Sequence, residues 1–89
     1  MGKEIKVNED AVREVQKVFY NASEEMSEII KSLSRTIEIA ENEGWSDDSY
    51  LNFHDEFLNL EKMINESISF MEDVLQPQLK HILTAIEGF

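Results

Sequence analysis

Two long apolar patterns with a helical period determine what this chain can fold into. In each pattern the apolar residues recur at steps of three and four, which places them along one side of an α-helix. The first pattern comprises Val12, Val15, Phe19, Ala22, Met26, Ile29, Leu33, Ile37 and Ala40. The second comprises Tyr50, Phe53, Phe57, Leu60, Ile64, Ile68, Met71, Leu75, Leu79, Ile82, Ile86 and Phe89. The sequence therefore predicts an all-α protein with two long amphipathic helices, and the residues of the first pattern are expected to form the inner face of helix 1.

Capping residues predict where the two helices begin and end. Asn8 has a side-chain oxygen that can accept a first-turn backbone N–H, so helix 1 is expected over about 9–43. Gly44 can adopt the left-handed backbone that ends a helix. Ser46 is the predicted N-cap of helix 2, and the two acidic residues after it favour the positive end of the helix dipole. These features predict a turn over 44–46 and a second helix over about 47–87.

Pro77 predicts an irregularity in the second helix. A proline has no backbone N–H, and its ring collides with the carbonyl four residues earlier, here that of Asp73. The apolar spacing nevertheless resumes at Leu79. We therefore expect a kinked helix that continues to about Glu87 rather than a separate domain.

A short connection between two long helices predicts an antiparallel hairpin, with residues 1–89 forming one domain. Further apolar side chains lie beside both patterns, and one facing helix cannot cover them all. Each buried Leu, Ile, Met or Phe contributes roughly 1.5 to 3 kcal/mol, so we expect dimerisation into a four-helix bundle. The alternative is a C-terminal segment that folds back within a monomer. The predicted partner interface consists of Phe19, Met26, Leu33, Phe53, Phe57, Leu60, Ile64, Phe70 and Met71.

The composition excludes several classes of function. A formal charge of -11 disfavours binding to nucleic acid or to anionic lipid. The absence of cysteine excludes disulfides and thiol chemistry. No apolar stretch has the length of a secretory signal or a membrane span, so we expect synthesis in the cytoplasm without a signal peptide and no stable insertion into membranes.

No arrangement of residues predicts an enzyme, a metal site or a cofactor. His54 and His81 are isolated from each other and complete no metal-binding spacing. The serines lie in no nucleophile or phosphate-loop motif. We therefore predict a non-enzymatic protein that requires no cofactor and has another protein as its partner.

The segment 36–61 around the turn contains eight carboxylates and no Lys or Arg. One interpretation is an electrostatic docking tip for a basic partner. The other is a solvated surface that prevents association at that end of the hairpin. Both interpretations stay open at this point.

The turn residues resemble those of a known family. The turn motif is Gly44, Trp45, Ser46 and Asp47, and aromatic residues follow it at Tyr50, Phe53 and Phe57. This layout resembles the WXG hundred-residue (ESAT-like) family of type VII secretion in Gram-positive bacteria, in which a Trp-x-Gly turn joins two helices. Asp47 stands where the family has glycine, as in the looser Trp-x-Asp variants. The chain also has no tyrosine after Tyr50, and so lacks the family's Tyr-x-x-x-Asp/Glu export signal.

The resemblance implies a small protein that is secreted or reaches the cell surface through type VII secretion. It would act as a homodimer, or as the helical partner or chaperone of a larger LXG-type effector in a heterodimer. Because the export signal is missing, that signal would lie on the partner or be cryptic. The alternative from the residues alone is a cytoplasmic helical adaptor or dimerisation module unrelated to secretion.

Overall fold

A computed structural model describes residues 8–88 as two antiparallel helical arms. Residues 1–7 and the predicted apolar residue Phe89 lie outside the described residues. Helix α1 spans Glu9–Asn42, and α2 spans Asp48–Phe70. A five-residue π turn at Met71–Leu75 joins α2 to α3, which spans Gln76–Glu87. The predicted all-α helical hairpin with a kinked second arm is confirmed.

The start of α1 follows the sequence prediction. The side chain of Asn8 accepts a hydrogen bond from the backbone N–H of Ala11 at 3.2 Å, as an N-cap does. At the other end, Gly44 has a φ of 111°, which an L side chain rarely adopts. The N–H of Gly44 donates to the Glu41 carbonyl and that of Trp45 to the Ala40 carbonyl, both at 3.0 Å. This pair of bonds is a Schellman motif, which satisfies two carbonyls at the end of the helix.

The predicted N-cap of α2 is wrong by one residue. Asp47, not Ser46, caps the helix, because its carboxylate accepts the backbone N–H of Tyr50 at 3.1 Å. Asp47 has an extended backbone (φ -82°, ψ -174°), as an N-cap residue requires. The turn is therefore longer than the predicted 44–46, and α2 begins at Asp48.

The π turn lies directly before Pro77 and keeps the apolar side of the second arm facing α1. Inward-facing positions from Tyr50 to Met71 alternate at steps of four and three residues. After Met71 they follow at steps of four, through Leu75, Leu79 and Leu83. A π turn contains one more residue than an α turn, shown here by the Gln76 N–H that donates to the Met71 carbonyl. The extra residue allows the wider spacing without rotating the helix away from its partner.

The hairpin is a thin rod with a small core. It measures 69 × 19 × 19 Å, and its radius of gyration is 20.0 Å, whereas a compact domain of this length has about 12 Å. The chain exposes 7212 Å² of surface, while a compact protein of its mass exposes about 5,400 Å². The buried hydrophobic side chains in the described residues are Ile30, Tyr50, Phe57 and Leu83. Much of the apolar surface of both arms is therefore left uncovered.

Candidate partner-binding face and turn

The line of contact between the arms runs along one border of the apolar stripe of α1, not along its middle. Ser23 and Ile30 are the buried residues of α1, and each is 5 % exposed. Ile29, predicted to face inward, is 56 % exposed, and Leu33 is also exposed. The prediction that these two residues face the second arm is wrong. The second arm leaves one side of the stripe open, where Val15, Ile29 and Leu33 are exposed, whereas the other six residues of the pattern are partly covered.

Polar residues of both arms lie together on one edge of the hairpin. They line an open groove of about 600 Å³ beside Ile30. Its polar lining residues are Ser27, Lys31, Ser34, Arg35, Glu38, Glu61 and Asn65. Further along the same side of α1, Arg13 and Lys17 line a second depression with Gln76. We call this side the polar edge.

The uncovered apolar residues lie mainly on the opposite side, which we call the apolar face. Because the two arms are antiparallel, residues that lie on the same side of the line of contact in each arm share one face of the hairpin. Those positions hold Val15, Val18, Ile29 and Leu33 of α1 and Phe53, Leu60, Met63 and Phe70 of α2, all of them exposed. Of the other exposed apolar residues, Tyr20, Ile39, Leu51 and Leu58 lie away from this face.

The predicted interface residues divide into three groups in the structure. Phe57 is 7 % exposed and belongs to the core between the arms. Phe19, Met26, Ile64 and Met71 are partly covered by the opposite arm. Leu33, Phe53, Leu60 and Phe70 remain exposed. Only the last group is fully available to a partner while the hairpin stays closed.

The turn motif forms a small cluster of aromatic rings at the end of the apolar face. The Trp45 ring contacts the Tyr50 ring edge-on, with centroids 5.3 Å apart, and the Phe53 ring at 5.5 Å. Its Nε1–H donates to the Ser49 hydroxyl at 3.1 Å. Although it packs on Tyr50 and Phe53, the indole is still 36 % exposed. Through Phe53, Trp45 extends the apolar face to the tip of the hairpin.

Hydrogen bonds hold the turn cluster and shift two pKa values. The Ser49 hydroxyl and the Tyr50 N–H both donate to the Asp47 carboxylate, and these bonds lower the pKa of Asp47. The Tyr50 hydroxyl donates to a Glu41 carboxylate oxygen at 2.8 Å. That bond, followed by burial of the ring and the nearby negative charge, raises the pKa of Tyr50. The bond between Tyr50 and Glu41 joins the end of α1 to the start of α2.

Neither a metal-binding group nor a membrane-spanning helix is present in residues 8–88. No group of three or more His, Asp or Glu side chains in residues 8–88 is placed to hold a metal ion. No helix in that part of the chain is long and apolar enough to cross a bilayer. The ring of His54 stacks on Tyr50 with centroids 5.5 Å apart, whereas His81 lies near Pro77 on α3. The distinctive features of the surface are therefore its apolar face and its turn.

Comparisons with protein-family profiles, with curated proteins and with solved structures found no significant match to this chain.

Proposed function

We propose that this protein is a non-enzymatic helical partner protein, which pairs through its apolar face with another helical surface. The single observation that carries the proposal is the position of the exposed residues. Leu33, Phe53, Leu60 and Phe70 share one side of a thin hairpin. Contiguous exposed apolar surface of this kind is typical of a binding site. A second helical hairpin laid on this face would complete a four-helix bundle.

The proposal includes a pathway, which rests on the resemblance of the turn residues. In this proposal the protein is a WXG-like component of type VII secretion. It travels as a homodimer or with the helical N-terminal region of an LXG-type effector, which it stabilises before export. The exposed indole of Trp45 is the residue that a partner or secretion component would contact. Aromatic residues in such positions often contribute a large share of binding energy.

The test of the pairing face uses two leucines that differ mainly in position. Leu58 and Leu60 are 46 % and 44 % exposed, but Leu60 lies on the apolar face and Leu58 does not. We expect Leu60→Asp to abolish pairing with the helical product of a neighbouring reading frame, because it places a charge in the interface. Leu58→Asp should pair like the wild type. Light scattering after gel filtration of the mixtures measures both results.

Two outcomes would contradict the pairing role. One is a chain that stays monomeric with every helical neighbour, while the same mixtures are shown to be folded by circular dichroism. The other is equal pairing by the two leucine variants, which would place the interface elsewhere.

Trp45→Ala tests the secretion part of the proposal separately. Only part of the indole is buried, so we expect the variant to keep its helicity while export or partner binding falls. Retention of the wild-type protein inside cells with an intact secretion system would instead favour the second candidate, a cytoplasmic helical adaptor. That candidate uses the same apolar face. A global loss of fold in Trp45→Ala would assign the residue to structure alone.

A further inference from the structure

Among residues 8–88, the charges that border the apolar face all have the same sign. Glu14 lines a shallow depression with Val15 and Val18. Glu66 lines another with Met63 and Phe70. We call Glu14 and Glu66, together with Glu25 and Glu56, the acidic rim.

The other two members of the acidic rim follow from helical spacing. Glu25 is four residues before Ile29, and Glu56 is four residues before Leu60, so each shares a side of its helix with an exposed apolar residue. All four rim glutamates are exposed. The rim therefore runs along both arms of the hairpin.

The basic residues of the described chain lie elsewhere. Lys31 and Arg35 line the polar groove, and Arg13 and Lys17 line the depression beside it. Lys62 is three residues before Asn65 of the polar groove and four after Leu58. It therefore lies on the side of α2 that holds these two residues, away from the apolar face.

Lys80 is the remaining basic residue of residues 8–88. It lies four residues after Gln76, whose side chain bonds the Gln16 carbonyl on the polar edge. No Lys or Arg of the described residues thus borders the apolar face.

This separation of charge matters for self-pairing. If two copies met through the apolar face, every charged border residue within 8–88 of one copy would meet carboxylates or neutral residues within 8–88 of the other. Like charges across an interface weaken association in any register and in either orientation of the two rods. No choice of register brings a Lys or Arg of the described residues opposite the rim.

We infer that the apolar face is built for a different chain, a helical hairpin whose own apolar face is bordered by Lys and Arg, and not for a second copy of this one. This inference rests on the proposed pairing function and specifies its partner. The acidic rim attracts basic borders and repels another acidic rim. Specificity therefore comes from charge, while the apolar side chains supply the contact area.

A charge-reversed copy of the same chain provides the test. The rim variant carries Glu14→Lys, Glu25→Lys, Glu56→Lys and Glu66→Lys. It repels itself as the wild type does, but its rim is complementary to the wild-type rim. We expect wild type and rim variant to form a 1:1 dimer with at least about tenfold higher affinity than either homodimer, and the preference should shrink at high salt.

A matched control has the same net charge but changes glutamates away from the apolar face. It carries Glu24→Lys, Glu28→Lys, Glu38→Lys and Glu72→Lys. We expect it to show no such preference for the wild type. Sedimentation equilibrium of each protein alone and of the mixtures measures the three affinities, and circular dichroism confirms that each variant is helical.

The outcomes separate this inference from the function on which it rests. A tight wild-type homodimer at low salt that Leu60→Asp disrupts would overturn the inference and leave the pairing function intact. Equal binding of the rim variant and the control variant to the wild type would also overturn it. If Leu60→Asp changes none of the measured associations, including those with a natural helical partner, the pairing function itself fails.

Discussion

The hairpin has a turn end and an open end, where α3 lies beside the first turns of α1. The contacts at these two ends join residues at very different separations in the sequence. At the turn, the bond between the Tyr50 hydroxyl and Glu41 spans nine residues of sequence, and the other bonds are shorter in range. At the open end, Arg13 bonds Glu87 across 74 residues, and Gln76 bonds the Gln16 carbonyl across 60. Because closing a long loop costs more entropy than closing a short one, the turn can form early and alone. The open end forms only when both arms are already aligned.

Burial follows the same division. Near the turn, Tyr50 and Phe57 are two large buried rings that lie about two helical turns apart on α2. Toward the open end, Ser23 faces Met71 through a 3.8 Å contact from its hydroxyl to the sulfur, and Leu83 is the buried apolar residue of α3. The turn end should therefore be the more stable part of the hairpin, with local opening concentrated in α3 and the first turns of α1.

Phe57→Ala should have the largest effect on this comparison. Phe57 fills the space between the arms, and truncating a buried phenylalanine costs about 3 to 5 kcal/mol. We expect a loss of this size in the free energy of unfolding, measured by urea titration with circular dichroism. Leu60→Ala, on the exposed apolar face, is the control and should cost much less. Equal losses would mean that the two faces have been assigned the wrong way round.

Leu83→Ala should have a smaller and more local effect. Its loss is expected near 2 kcal/mol, the lower end for a buried leucine, because the adjacent end of the hairpin can relax. Amide hydrogen exchange should become faster in α3 and the first turns of α1, with little change around the turn. Uniformly faster exchange along the chain would show that the two ends open as one unit.

Asp47→Asn tests the turn end in acid. The hydrogen bonds to the Asp47 carboxylate lower its pKa below the ordinary 3.8. The stabilisation from this ionised cap is complete above that ordinary value and is lost as the pH falls through the lower, folded-state pKa. The difference in Tm between the wild type and the Asp47→Asn variant should therefore shrink from about pH 7 to about pH 2. A difference that is independent of pH would contradict the role of the carboxylate.

Tyr50 tests the same region in alkali. Its hydrogen bond to Glu41 and its burial raise its pKa above the ordinary 10.0. That stabilisation is complete below this value and is lost as the pH rises through the raised pKa. Titration of tyrosinate absorbance in a Tyr20→Phe background isolates Tyr50 and should show ionisation above pH 10.0 together with loosening of the turn. Ionisation below that value would contradict the bond to Glu41.

Arg13→Ala should have the smallest effect of these substitutions. Arg13 lies between Glu9 and Glu87 at distances of 2.9 and 2.6 Å, but all three side chains are largely exposed. Exposed ion pairs contribute little and are screened by salt. We expect a small drop in Tm at low ionic strength that disappears at high salt. A large drop that persists in salt would show that the open end depends on this pair more than its exposure indicates.

The positions of the helices could be predicted from the sequence, because they depend on local chemistry. Asn8 and Gly44 each have a conformational role that few other residues can fill, and both occupy the predicted positions. Ser46 and Asp47 are both good N-cap residues, so their residue types alone do not show which of the two caps α2. The choice depends on the backbone of the turn, which is extended at Asp47.

The direction in which α1 faces its partner arm was not predictable from periodicity. A periodic pattern locates the middle of an apolar stripe, near Ile29 and Leu33, and assumes that the opposite helix covers it. The contact instead runs beside the stripe, through Ser23 and Ile30, and this offset leaves the apolar face open. The acidic rim follows from helical spacing to residues such as Leu60. It could be recognised only after the structure had shown which side of each helix is exposed.

The location of four lysines makes the described part of the molecule convenient to label. Between residues 8 and 88 the primary amines belong to Lys17, Lys31, Lys62 and Lys80, and none lies on the apolar face. Amine-reactive dyes or a solid support coupled to these side chains would leave that face accessible to incoming proteins. In an assembled bundle the same amines would point outward, ready for covalent cross-linking to whatever surrounds the complex.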